Sequence, residues 1–308
     1  MDVFLQQLIN GLTLGSVYAI VALGYTMVYG IIQLINFAHG EIVMIGAMVA
    51  FTVMSVLTAN TGLPPLAVVL IATGAAIPAC VLIGYALERF AYRRLRHAPR
   101  LAPLITAIGA SIILQHVAMM IWSRNPLAFP QLIPNHVFDI AGATITTVQI
   151  GIVLTSVVMM AGLTLIVYRT RLGIAMRATS QNPHIAGLMG VNIDRMIAAT
   201  FMLGAALAAV AGVMIGTYYG VAHYTMGSLL GLKAFSAAVL GGIGNLAGAM
   251  LGGMLLGIVE ALGTGYIGDL TNNVFGSNYQ DVFAFLVLIA VLVLRPSGLL
   301  GERVGTRA

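Results

Sequence analysis

Ionisable residues set inside long apolar runs are where this 308-residue sequence can do chemistry. His39, Glu41, Lys233 and Glu260 are four such residues. An ionisable group at the centre of a bilayer costs upward of about 2.5 kcal/mol, so each is a candidate for lining a translocation path or for buried pairing. His39 and Glu41 belong to a polar knot, Asn36-Phe37-Ala38-His39-Gly40-Glu41, that interrupts two apolar runs. The knot reads either as an interfacial loop or as a bent segment lining a cavity, since non-helical backbone at membrane depth survives only inside protein or beside water. Lys233 either sits at depth or snorkels to the surface. Glu260 lies deep in its run with no cation near it in sequence, and pairing between Glu260 and Lys233 stays open. His116, which follows Ser111 and Gln115, reads as a packed, hydrogen-bonded helix residue.

Other chemistry has no residues to carry it. The sequence holds no G-x-x-x-x-G-K-[ST] phosphate loop, and its single lysine stands in Gly231-Leu232-Lys233-Ala234. It holds no H-E-x-x-H, C-x-x-C or G-x-S-x-G. The six histidines are scattered without metal-ligand spacing. No catalytic residue, metal site or cofactor is expected, and the chain is not expected to be an enzyme.

The elements that position these residues follow from composition. Sixty per cent of the residues are hydrophobic and 7% are charged, against about 25% charged in soluble domains. Too few charges exist to cover a water-soluble globule, so an integral membrane protein remains. Residues 3–40, 42–87, 101–123, 140–168, 196–232, 234–259 and 282–294 contain no Asp, Glu, Lys or Arg. Most of these runs exceed the about 20 residues that a helix needs to cross hydrocarbon. They are continuously apolar where a β-barrel strand would alternate, so the fold class is an all-α polytopic bundle. Spans are predicted near 10–33, 41–59, 66–88, 103–122, 146–168, 196–216, 228–244, 247–266 and 280–295. That gives nine with the N-terminus outside, or eight with it inside if 30–45 is re-entrant. The run after Met1–Leu8 is too long for a cleavable signal, so the first span doubles as the insertion signal. Cys80 is alone in an apolar run and says nothing of redox compartment.

Positive charge gives the sidedness. Arg89, Arg93, Arg94, Arg96 and Arg100 form one cluster, Arg169, Arg171, Arg177 and Arg195 a second, and Arg295, Arg303 and Arg307 a third; only Arg124 and Lys233 stand apart. All three clusters are expected in the cytoplasm, which leaves about 123–145 as an extracytoplasmic loop. This placement accounts for the +5 formal charge without nucleic acid. Small residues recur every four positions at Gly11-Gly15-Ala19, Gly204-Ala208-Gly212-Gly216, Gly244-Gly248-Gly252 and Ala249-Gly253-Gly257-Ala261. Such stripes let backbones approach, and intramolecular packing is favoured over a dimer seam. The polar insertion at about 169–195 is longer than a turn needs. Pro183 after Asn182 suits a helix start, Ile185, Leu188 and Met189 share a face, and Gly190 suits the close. A short amphipathic helix is predicted at about 183–190, fit for a membrane surface or a partner's groove.

Several stretches, in order, resemble the permeases of branched-chain amino acid ATP-binding-cassette importers, the LivH-like subunits. They are Gly24-Tyr25-Thr26-Met27-Val28-Tyr29-Gly30-Ile31-Ile32, Ile35 to Glu41, Glu88-Arg89-Phe90-Ala91-Tyr92-Arg93, Met176-Arg177-Ala178, Gly187-Leu188-Met189-Gly190-Val191-Asn192 and Lys233 to Gly244. The resemblance covers essentially the whole chain and implies a single permease domain over 1–308 in the bacterial inner membrane. It implies a homologous second permease, two cytoplasmic ATPases, a periplasmic substrate-binding protein and an amino-acid substrate. Segment 169–195 falls where the family couples to its ATPases, so Arg177, Asn182, Pro183, Ile185, Leu188, Met189 and Gly190 are the coupling candidates. The stretch Arg177-Ala178-Thr179 lacks the acidic residue of the Glu-Ala-Ala motif in other importers. The resemblance supplies no substrate-binding residues; Asn36, His39, Glu41, Lys233 and Glu260 remain the path candidates. Urea or amide permeases of the same group, and an ion-coupled secondary transporter with Glu260 as its acid, are the alternatives.

Overall fold

The computed structural model describes residues 2–96, 98–99, 101–140, 142–270 and 279–301. Arg100, Arg303 and Arg307 lie outside the described residues. The fold is a polytopic helical bundle. Among the described residues seven helices are long and apolar enough to cross a membrane: α1 (Asp2–Ile32), α2 (His39–Asn60), α3 (Pro65–Ala86) with its extension to Leu95, α5 (Leu101–Ile121), α6 (Thr147–Arg169), α9 (Ile193–Tyr219) and α11 (Leu246–Leu270). Two shorter apolar helices, α10 (Met226–Gly241) and α12 (Gln280–Leu294), occupy the other two predicted runs. Each predicted span thus overlaps one apolar helix. Helix α3 passes through a π-helical turn, Leu87–Tyr92, into the short α4 (Arg93–Leu95).

The glycine stripes explain the packing. Helix α1 runs antiparallel along α11 as its main neighbour. A Cβ on Gly11 would stand 2.7 Å from the backbone of Ile258, and one on Gly15 2.8 Å from the Met254 carbonyl. A Cβ on Gly253 or Gly257 would meet the backbone of Ala19 or Gly15. Gly204 and Gly212 on α9 do the same for α1 and α2, and Gly248 and Gly252 bring α11 onto α10. In lipid, where no hydrophobic force drives helices together, such close backbone approach is what holds a bundle. The stripes are used within the chain. The exposed Leu and Ile of α3, α5 and α6 form the outer wall.

Two ends of the bundle can be told apart. At one end Gln6, at the start of α1, exchanges hydrogen bonds with Thr144. Thr144 belongs to a hairpin of β2 (Val137–Ile140) and β3 (Ala143–Thr146), and β1 (Leu127–Ala128) pairs with β4 (Val221–Ala222) after α9. The segment read as an open loop at 123–145 is therefore partly folded, with Phe129 buried against Gly216. At the other end Arg93 and Arg96 meet Asp194 at the start of α9. The chain after Arg295 docks there too, Leu299 and Leu300 donating to the Leu240 and Gly241 carbonyls. The described members of the three arginine clusters thus gather at one end, and the start of α1 lies at the opposite one.

Several boundaries differ from the sequence reading. Helix α1 starts at Asp2, eight residues before the predicted span, and the third span runs on to Leu95 instead of ending at 88. Helix α10 stops at Gly241, because Gly242 and Gly244 take φ of +104° and +97° to make the tight joint. The insertion at 169–195 holds two helices, α7 (Arg171–Gln181) and α8 (Pro183–Leu188). Helix α8 ends two residues early, with Met189 as its cap and Gly190 at φ +85°.

Candidate functional site

Two buried ionic sites lie near mid-bundle. In the first, Lys233 Nζ of α10 meets Glu260 Oε1 of α11 at 2.7 Å and Asp281 Oδ1 of α12 at 2.5 Å. Tyr18 of α1 donates to Glu260 Oε2 at 3.0 Å. The Lys233 side chain is 5% exposed and that of Glu260 2%. Lys233 therefore sits at depth, and its pairing with Glu260 is formed. Helices α10, α11 and α12 are tied through one ammonium, with α1 fastened by the tyrosine. A buried carboxylate is tolerated when a cation and a donor share it, as here.

The second site surrounds Glu41. This residue stands in the first turn of α2, yet its Oε1 accepts from Ser111 at 3.1 Å and Gln115 at 2.7 Å. Ser111 is at the midpoint of α5, about 15 Å from either end at 1.5 Å per residue. Helix α2 therefore begins deep in the bundle, and the non-helical chain before it enters the interior rather than resting at an interface. Asn36 fixes that chain: its Oδ1 accepts from the Tyr92 hydroxyl at 3.0 Å and the Ala38 N–H at 3.2 Å. His39 meets Tyr25 edge to face at 4.8 Å, and its ring fills the space beside Gly24. The opposite wall is α10, where Gly227 and Gly231 press on Gly40. The two sites lie on different sides of α10, since Lys233 is about 200° around the helix from Gly231.

At the arginine-bearing end, fully buried Glu88 is held by Arg93 at 2.7 Å and by Arg96, and both arginines reach on to Asp194. This ties the end of α3 to the start of α9. A groove of about 590 Å³ opens beside it, lined by Tyr85, Arg93, Leu172, Asp194 and Met202. Helix α7 starts at Thr170, whose Oγ1 caps Gly173 N, and α8 at Asn182, whose Oδ1 caps Ile185 N. Arg177 lies over the Tyr168 ring at 5.1 Å. Ala186 turns inward, while Ile185, Leu188 and Met189 are 56%, 76% and 81% exposed. The predicted apolar face exists, and none of the described residues covers it.

Against this geometry the comparisons are specific. A family model described as branched-chain amino acid transport system / permease component matches residues 7–292. The chain belongs to this permease family. The permease is 50% identical over 304 residues to the high-affinity branched-chain amino acid transport system permease protein BraD of Pseudomonas aeruginosa, covering 97% of this chain and 96% of that one. It is 45% identical over 309 residues to LivH of Escherichia coli K12, with the same coverage. A probable LivH of Methanocaldococcus jannaschii is 27% identical over 297 residues, covering 93% and 89%. No solved structure matches the chain.

Of the five path candidates in the permease, the structure gathers Asn36, His39 and Glu41 around one region and sends Lys233 and Glu260 to another. Sequence reasoning missed Asp281, Tyr18, Tyr25 and Tyr92. It noted Ser111 and Gln115 only as neighbours of His116. Their signal was present: polar residues four apart on an apolar helix share a face and need a partner. His116 is exposed rather than packed, and its Nδ1 stands 2.8 Å from the Ile112 carbonyl of its own helix. Among the described residues no three His, Cys, Asp or Glu side chains converge as a metal site would require.

Proposed function

We propose that this permease is the membrane-spanning subunit of an ATP-binding-cassette importer that moves branched-chain amino acids across the bacterial inner membrane. The observation that carries the reading is the match to branched-chain amino acid permeases along 97% of the chain. In this reading 1–308 is one transmembrane domain. A homologous second permease completes the pathway, two ATPases bind from the cytoplasm and a periplasmic protein delivers the substrate. The arginine-bearing end is cytoplasmic, and the end with the β-hairpin receives the binding protein. ATP-driven closure of the ATPases pushes on α7 and α8, and the Glu88–Arg93–Arg96–Asp194 cluster passes that movement to α3 and α9. The exposed Ile185, Leu188 and Met189 support this role, because an i, i+3, i+4 triad is how a short helix anchors in a groove. Arg177, Asn182, Pro183 and Gly190 set the pose of that helix. Asn36, His39 and Glu41 line the path, and Lys233 with Glu260 holds the wall beside it. No bond is made or broken in this chain.

The test is reconstitution of the complete complex in vesicles, with radiolabelled leucine offered on the binding protein. Uptake should require ATP and the ATPase subunits. Saturable nucleotide binding by the isolated chain, or uptake driven by a proton gradient alone, would contradict the reading. A cysteine placed at Ser180 should be labelled only from the cytoplasmic side.

A further inference from the structure

Among the described residues, four buried polar atoms without a hydrogen-bond partner fall within sixteen positions: Thr26 Oγ1, Asn36 Nδ2, His39 Nε2 and Glu41 Oε2. Glu41 is the sharpest case. The side chain is 0% exposed. Its Oε1 accepts from Ser111 and Gln115, and its Oε2 has no hydrogen-bond donor among the described residues. Among the described residues no lysine, arginine or histidine forms an ion pair with it; the one lysine is committed to Glu260 and Asp281 on the far side of α10. A buried carboxylate with a free oxygen and no cation is costly unless something with positive charge and N–H donors reaches it.

What covers that oxygen is glycine. A Cβ on Gly227 would stand 2.7 Å from Glu41 Oε2, and one on Gly231 3.0 Å from both the Tyr25 hydroxyl and Gly40 Cα. At Gly227 α10 meets the carboxylate with bare backbone, so a small withdrawal of α10 uncovers it. Apolar rings stand beside the opening: Phe235 lies 6.0 Å from Tyr25 and 5.8 Å from Phe37. A carboxylate next to an aromatic wall suits a ligand that carries an ammonium group at one end and an apolar side chain at the other.

We infer that Glu41 is the ammonium-binding residue of the path, its Oε2 taking the α-ammonium of an apolar amino acid when α10 draws back from Gly40. This rests on the importer reading above and gives it a residue. The site is transient by construction, because the glycine seam closes it again.

The experiment uses the complete reconstituted complex with wild-type permease, Glu41→Gln and Glu41→Asp, and measures leucine uptake, ATPase activity and co-purification of the subunits. Glutamine keeps the shape and the Oε1 acceptor for Ser111 and Gln115, so a merely structural role would survive it. The expected result is at least a tenfold loss of uptake in Glu41→Gln, with assembly and ATPase rate retained and Glu41→Asp in between. Uptake by Glu41→Gln within twofold of wild type overturns the inference. If Glu41→Gln does not assemble, Glu41→Asp is decisive: at least a fivefold loss with normal ATPase supports the inference, and uptake within twofold overturns it. Failure of both variants to assemble also overturns it, since Glu41 would then serve the fold. Absence of ATP-dependent leucine uptake by the intact wild-type complex refutes the importer reading itself, whatever the variants do.

Discussion

The Lys233 and Glu41 sites occupy similar depths in one bundle and treat a buried charge in opposite ways. Around Lys233 the chain supplies every partner: two carboxylates and a tyrosine from three other helices. Around Glu41 it supplies neutral donors to one oxygen and leaves the other facing glycines. A completed ion pair resists separation, because pulling it apart leaves a charge in a medium that solvates it poorly. An incomplete one is ready for a ligand to finish. The difference assigns holding to the first site and handling to the second.

Removing the lysine should have the largest effect on the fold. Lys233→Met leaves Glu260 buried and unpaired, which costs about 3–5 kcal/mol. A marked fall in the detergent unfolding temperature is expected. A Lys233→Met, Glu260→Gln pair should recover part of it; no recovery would mean that the node is not an ion-pair unit. Tyr18→Phe comes next. It deletes a hydrogen bond to a charged group, worth about 1.5–3 kcal/mol, while keeping the ring. The same thermal scan reads it, and no shift would leave α1 held by its glycine seam alone.

Much of this frame is legible in the sequence. Each of the nine predicted spans overlaps an apolar helix among the described residues, seven of them of span length, because a backbone in lipid must satisfy its own N–H and C=O groups. The four-residue stripes became α1–α11 and α9–α2 seams. The partners of each charge were not legible. Lys233 and Asp281 are far apart in sequence, and the start of α2 looks like a turn until Ser111 at mid-α5 is seen to hold Glu41. Helix α7 was read as polar insertion because Arg171–Gln181 has only the alternation of a surface helix. The β-hairpin of β2 and β3 was hidden in a segment placed only by the arginine clusters on either side of it.

The third region bears on neither charge and gives the smallest effect on the fold. Leu188→Asp changes a side chain that is 76% exposed, so membrane insertion and unfolding temperature should match wild type. In a desolvated contact, however, an unpartnered aspartate costs on the order of a few kcal/mol. Co-purification of the ATPases, and with it uptake, should fail. Full co-purification with normal uptake would remove α8 from the coupling path.

The division of labour is tested most directly by measuring unfolding temperature and leucine uptake per assembled complex for Lys233→Met and Glu41→Gln side by side. The account predicts a crossed result: Lys233→Met loses stability while each assembled complex still transports, and Glu41→Gln, which keeps the Oε1 acceptor, unfolds close to the wild-type temperature and loses uptake at least tenfold. The two variants falling together in both measurements, or Glu41→Gln losing stability while transporting normally, would contradict it.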